Sequence, residues 1–170
     1  MNIKWIGAIL IIVGCGGFGF RMAWNYNRTM ASLRQLVRAL EYMQSDLEYR
    51  LTPLAELCKR TAEQLSGSLK TVYLRFAREL ESQIAPDAAF CMTAALQGVP
   101  DLPKATAEYL ELLGKSLGQF DLQGQLRGLE SLRDMCSSAL AEKDAMRPQR
   151  VRSYQTLGLC AGAALAILLI

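Results

Sequence analysis

The 170-residue chain contains no histidine. The side chain that most often acts as general base, and that most often ligates zinc, is therefore missing. The five cysteines, Cys15, Cys58, Cys91, Cys136 and Cys160, are odd in number, far apart and form no C-x-x-C pair. Such spacing argues against a zinc site and against a disulfide framework, and it fits a reducing compartment for the middle of the chain. No acidic residue precedes Glu41 or follows Asp144. No stretch of residues 25–150 alternates apolar and polar side chains, so a β-sheet is excluded on pattern.

What is present is unevenly distributed. Between Glu41 and Asp144 lie all sixteen acids and eleven of the nineteen Lys and Arg, a net charge of about −5. The other eight basic residues are Lys4, Arg21, Arg28, Arg34, Arg38, Arg147, Arg150 and Arg152. The formal +3 thus sums an acidic middle and basic shoulders. Because those shoulders adjoin apolar ends, the positive balance implies no nucleic-acid partner.

Residues Ile3–Phe20 read IKWIGAILIIVGCGGFGF, and Tyr154–Ile170 read YQTLGLCAGAALAILLI. At a rise of 1.5 Å per residue these are about 27 and 25 Å long, near the hydrocarbon thickness of a bilayer. Trp5 and Trp24 flank the first run, where amphipathic rings favour the headgroup level. The expectation is an N-terminal transmembrane anchor over 1–24, a central domain over 25–152 and a C-terminal transmembrane anchor over 153–170. The arginines cluster on the inner side of both runs, so the positive-inside rule places the central domain in the cytoplasm and both termini on the opposite side. A cleaved signal peptide fits less well, because the apolar run continues to Phe20 without a polar mature start. Ile12-Val13-Gly14-Cys15 also resembles a lipobox, which would make Cys15 a lipidated residue; an intact mass separates the two. Cys15 with Gly19, and Gly158 with Gly162, have the small-xxx-small spacing that lets helices pack closely in lipid.

The central region has helical spacing throughout. Leu33, Leu36, Val37, Leu40, Met43, Leu47 and Leu51 predict a helix over about 28–50. Thr52-Pro53 is a helix start with Thr as cap and Pro as first helical residue. A second helix carries Leu57, Cys58, Ala62 and Leu65, and Ser66-Gly67-Ser68 breaks it. A third carries Leu69, Val72, Tyr73, Phe76, Leu80 and Ile84. A fourth starts at Pro86-Asp87 and runs to about Gln97; a fifth spans about 104–117. The last runs from about Asp121 to Met146, where Pro148 is expected to stop it. Each has one apolar stripe and one charged face, which predicts an all-α, roughly six-helix bundle.

No constellation carries catalysis. Gly114-Lys115-Ser116 imitates the end of a phosphate-binding loop, but Tyr109 occupies the position of its first glycine and no strand precedes it. Glu108 with Glu111 reads as solvated surface. Cys58, Cys91 and Cys136 read as small core hydrophobes. The segment Leu113–Asp121, LGKSLGQFD, places two glycines around an apolar residue at a helix end, with Asp121 suited to cap the next helix. Its residues Gly114, Lys115, Ser116, Leu117, Gly118, Phe120 and Asp121 are the candidate partner contact. No catalytic, cofactor-binding or metal-binding residue is expected.

The two terminal anchors, the segment LEYMQSDLEYRLTPL over 40–54, the segment LGKSLGQFDLQGQ over 113–125 and the apolar C-terminal tail together resemble the stage III sporulation protein AB family of endospore-forming bacteria. That family's central domain is similar to the F-type platform domains of type II secretion and type IV pilus machines, which are six-helix bundles. Lys115 stands where secretion platforms usually carry a Glu. The resemblance implies a membrane platform in the mother-cell membrane, within a channel complex between mother cell and forespore. It would couple a cytoplasmic secretion-type ATPase to other membrane proteins of that channel. Homo-oligomerisation is compatible with this; a small-molecule substrate and a cofactor are not implied. The alternative is a membrane-anchored helical adaptor unrelated to secretion.

Overall fold

A computed structural model describes residues 3–50, 52–82, 87–117 and 121–169, with side chains described for 21, 24–50, 52–82, 87–117 and 121–145. Among them all regular structure is helical: α1 Ile3–Arg50, α2 Leu54–Glu63, α3 Gly67–Ser82, α4 Ala88–Gln97, α5 Lys104–Ser116 and α6 Leu122–Leu169. Among the described residues the architecture is all-α with six helices, as predicted. Among the described residues no helix is long and apolar enough to cross a membrane. The side chains of the two apolar runs expected to span, and with them Cys15, Gly19, Gly158 and Gly162, lie outside those described.

The chain divides into two compact units. The first combines Met1–Met30 with Ala141–Ile170. Here the Tyr26 hydroxyl donates to the Lys143 carbonyl at 2.5 Å, joining the two outer helices across 117 positions of sequence. The second, Ala31–Leu140, is the bundle. Its core draws on all six helices: Leu36, Leu40 and Met43 from α1, Leu57 and Cys58 from α2, Val72, Tyr73 and Phe76 from α3, Met92 from α4, Leu110 and Leu113 from α5, and Leu129 and Cys136 from α6. Those of α1, α2 and α3 are the apolar stripes read from the sequence, and burying each such side chain contributes about 1.5–3 kcal/mol against chain entropy.

Three local expectations are corrected. Thr52 does not cap α2: the cap position is Pro53, with φ −55° and ψ 140°, and no side chain bonds the helix start. Proline's fixed φ already sets the entry angle, and the Pro53 carbonyl accepts from Leu57 N at 2.9 Å. Pro148 does not stop α6, which continues to Leu169. A proline removes one backbone bond but need not end a helix whose flanks remain good helix formers. On the N-terminal side the helix expected from about residue 28 is continuous from Ile3.

Helix α4 starts where the sequence predicts, and the Asp87 carboxylate caps it by accepting from Phe90 N at 2.7 Å. The α2–α3 turn is pinned to α1, because Gln35 Oε1 accepts from Ser66 N at 3.0 Å and from its hydroxyl at 3.2 Å. Gln44 of α1 accepts from Arg133 of α6 at 3.3 Å.

Candidate functional site

The corner between α5 and α6 is built by close packing. Gly114 is buried in the last turn of α5, and a Cβ there would come within 2.6 Å of the Met92 Cβ on α4 and 3.3 Å of the Ala88 carbonyl. Gly114 is therefore a contact point between helices. Among the described residues the glycine with positive φ is Gly67, at 62°. Leu117 follows in extended conformation, fully buried, with its N–H returned to Leu113 O at 3.1 Å. The Ser116 hydroxyl donates to the same carbonyl at 3.0 Å. A Cβ on Gly128 of α6 would sit 3.0 Å from the Ser116 Cβ, so α6 also approaches this end of α5 closely.

Asp121 opens α6. Its carboxylate accepts from Gly124 N at 3.0 Å, and its carbonyl accepts from Gln125 N at 3.0 Å. Of the seven candidate contact residues, Gly114 and Leu117 are buried and Ser116 is half-buried. Lys115 and Asp121 face solvent, and Gly118 and Phe120 lie outside the described residues. The corner thus offers a partner one ammonium, placed at the negative end of the α5 dipole. Among the described residues of the corner no acid–base pair is buried, and the Ser116 hydroxyl is engaged with Leu113 O.

The thiols are as inert as their positions suggest. Cys58, Cys91 and Cys136 are free and buried. Burial alone pushes Cys58 well above its ordinary 9.0, and it pushes Cys136 up to about 12. The nearby Lys59 does not activate Cys58; its ammonium bonds Glu81 at 2.5 Å across to α3. Glu108 and Glu111 are exposed, as solvated surface should be. Among the described residues no group of three or more Cys, Asp or Glu could hold a metal ion. Sequence reasoning passed over Asp46, which is 6% exposed and lines a cavity of about 330 Å³. Nothing in helical periodicity marks it, since one acid within an amphipathic stretch reads as surface.

A profile of the family described as stage III sporulation protein AB matches residues 4–170. The chain belongs to the stage III sporulation protein AB family. Stage III sporulation protein AB of Bacillus subtilis (strain 168) is 27% identical over 170 residues, covering 98% of this chain and 99% of its own. A solved structure of a stage III sporulation protein AB superposes with a TM-score of 0.63 at 23% identity, over 72% of this chain and 98% of that one. The structural likeness establishes the fold, and the match over nearly the whole length establishes the family.

Proposed function

We propose that this chain is a membrane-anchored platform of a sporulation-specific secretion complex, coupling a cytoplasmic secretion-type ATPase to membrane partners. Family membership supplies the sporulation context. The observation that carries the platform reading is the course of α1 and α6. Each is 48 residues long, each contributes to the bundle core, and their apolar ends fall in one compact unit joined by the Tyr26–Lys143 hydrogen bond. Apolar runs at both ends of an acidic middle suit a protein anchored in the mother-cell membrane, its bundle in the cytoplasm and its termini on the opposite side. The apolar runs serve as the anchors, with Cys15, Gly19, Gly158 and Gly162 at helix–helix contacts.

On this reading the exposed Lys115 meets an acidic group of the ATPase. The test is co-purification from detergent-solubilised membranes of sporulating cells. A tagged chain retains the ATPase together with other channel components, and Lys115→Ala reduces the retained ATPase severalfold with the fold intact. Recovery of the chain alone, with the ATPase present and folded, favours an adaptor unrelated to secretion.

A further inference from the structure

Near its C-terminal end α1 carries Tyr42, Ser45, Asp46, Tyr49 and Arg50 at helical spacing, and these residues line a cavity of about 330 Å³. Asp46 is 6% exposed, and its Oδ2 is shielded from solvent without a hydrogen-bond partner. Tyr49 on the same lining is 79% exposed, which leaves the cavity an open aromatic edge.

The placement of Asp46 is not explained by the stability of its own helix. It lies near the end where the last carbonyls have no intrahelical partner and the dipole is negative, so a carboxylate there is on the unfavourable side. Local cations do not satisfy it either. Arg60 of α2 is near enough for the charge of Asp46 to help hold its guanidinium ionised, but its Nε donates to Glu56 at 3.0 Å. Arg50, also on the lining, is exposed and makes no hydrogen bond to Asp46 Oδ2. An acceptor oxygen shut off from water and left without a donor is costly in the free protein.

We propose that this cavity receives an arginine side chain presented by a partner protein. The chemistry selects that group. A single carboxylate without further anionic ligands is a poor metal site. A guanidinium can bond both carboxylate oxygens in one plane, and rotation about the Asp46 Cβ–Cγ bond exchanges the two oxygens at little cost. The rings of Tyr42 and Tyr49 give a planar cation a face to stack on, which a compact ammonium exploits less well. The partner is a different protein, because residues 41–144 carry about −5 and two copies of the bundle repel each other while a basic surface is attracted. The inference holds whether or not the chain docks an ATPase.

The test uses the full chain in mild detergent and an array of short peptides with one central arginine in randomised flanks, with matched arrays in which citrulline or lysine replaces it. A subset of arginine peptides binds. Affinity falls at least about thirtyfold for the citrulline counterparts and for Asp46→Asn, the loss typical of truncating one partner of a buried charge pair. Tyr49→Ala, at an exposed position that leaves the fold intact, lowers affinity about threefold through the lost ring. Equal binding of citrulline peptides, undiminished binding by folded Asp46→Asn, or no bound peptide at all overturns the proposal. Equal binding of lysine peptides overturns the choice of guanidinium. Self-association that Asp46→Asn abolishes, without peptide binding, assigns the cavity to a second copy and overturns the partner.

Discussion

Gly114 and Gly67 both stand at the end of a helix, for opposite reasons. At Gly67 the backbone has φ 62° and nothing lies within 4 Å of an added Cβ, so the demand is conformational. At Gly114 the demand is steric, with Met92 Cβ 2.6 Å away. Gly67→Ala is expected to cost about 1 kcal/mol through the left-handed strain alone. Gly114→Ala is expected to cost about 1–3 kcal/mol, because α4 and α5 must separate to admit the methyl. Urea denaturation measures both, and the double variant Gly114→Ala with Met92→Gly, which removes the opposing Cβ, separates the mechanisms. It loses less than the sum of the single losses if the two positions oppose each other, and the full sum if they do not. The sequence marks both residues as glycines in turn-rich segments, but only the path of α4 past α5 tells them apart. Asp46 is the same lesson for a charge: its burial comes from the packing around α1, which no local pattern encodes.

At the scale of elements, the bundle helices were largely legible. Leu57, Cys58 and Ala62 on α2, and Leu69, Val72, Tyr73 and Phe76 on α3, are buried as their spacing predicts. Apolar periodicity survives because each helix has one partner-facing side. The cap of α6 is the residue that the sequence marks, Asp121, while at Asp87 the sequence marks only a helix start. The Asp87 bond to Phe90 N makes α4, 10 residues long and weak in intrinsic terms, dependent on its first turn. Asp87→Ala is expected to lower stability by about 1 kcal/mol, with amide exchange accelerating first in α4; exchange that rises uniformly across the bundle would argue against a local cap. Proline was read less well. Thr52-Pro53 starts α2 without a capping side chain, and α6 passes Pro148. In both places context outweighs a residue whose signal is one missing donor.

For the whole molecule, the missing histidine has a thermodynamic consequence. No side chain has an ordinary pKa between the carboxylates and the thiols, so stability is expected to stay nearly flat from about pH 6 to 8. Above that it falls. The folded bundle holds Cys58 and Cys136 protonated by burial, and Tyr73 likewise well above its ordinary 10.0. The unfolded chain releases the thiol protons near the ordinary 9.0. Between that value and the raised folded ones the unfolded state binds fewer protons, so each further rise in pH favours unfolding. Denaturation midpoints at pH 7, 8, 9.5 and 10.5 check this; a midpoint rising above pH 9 would contradict it. Topology is testable at the same scale. On the proposed orientation an impermeant maleimide labels Tyr49→Cys, at an exposed position, in inside-out vesicles and leaves it unlabelled in intact cells. The reverse pattern would put the bundle on the other side.

The sequence by itself determined the helical class, the order of the helices, most core positions and the family. All of these follow from periodicity, chain punctuation and residue order, which are local or cumulative along the chain. The tertiary structure alone decided that Gly114 is a packing contact, that Leu117 is buried in the core, and that Tyr26 and Lys143 meet. It also decided that the Asp46 carboxylate sits buried beside a cavity. Each of these depends on which residues distant in sequence come within a few ångströms of one another, and that is fixed by how the helices pack rather than by any one helix.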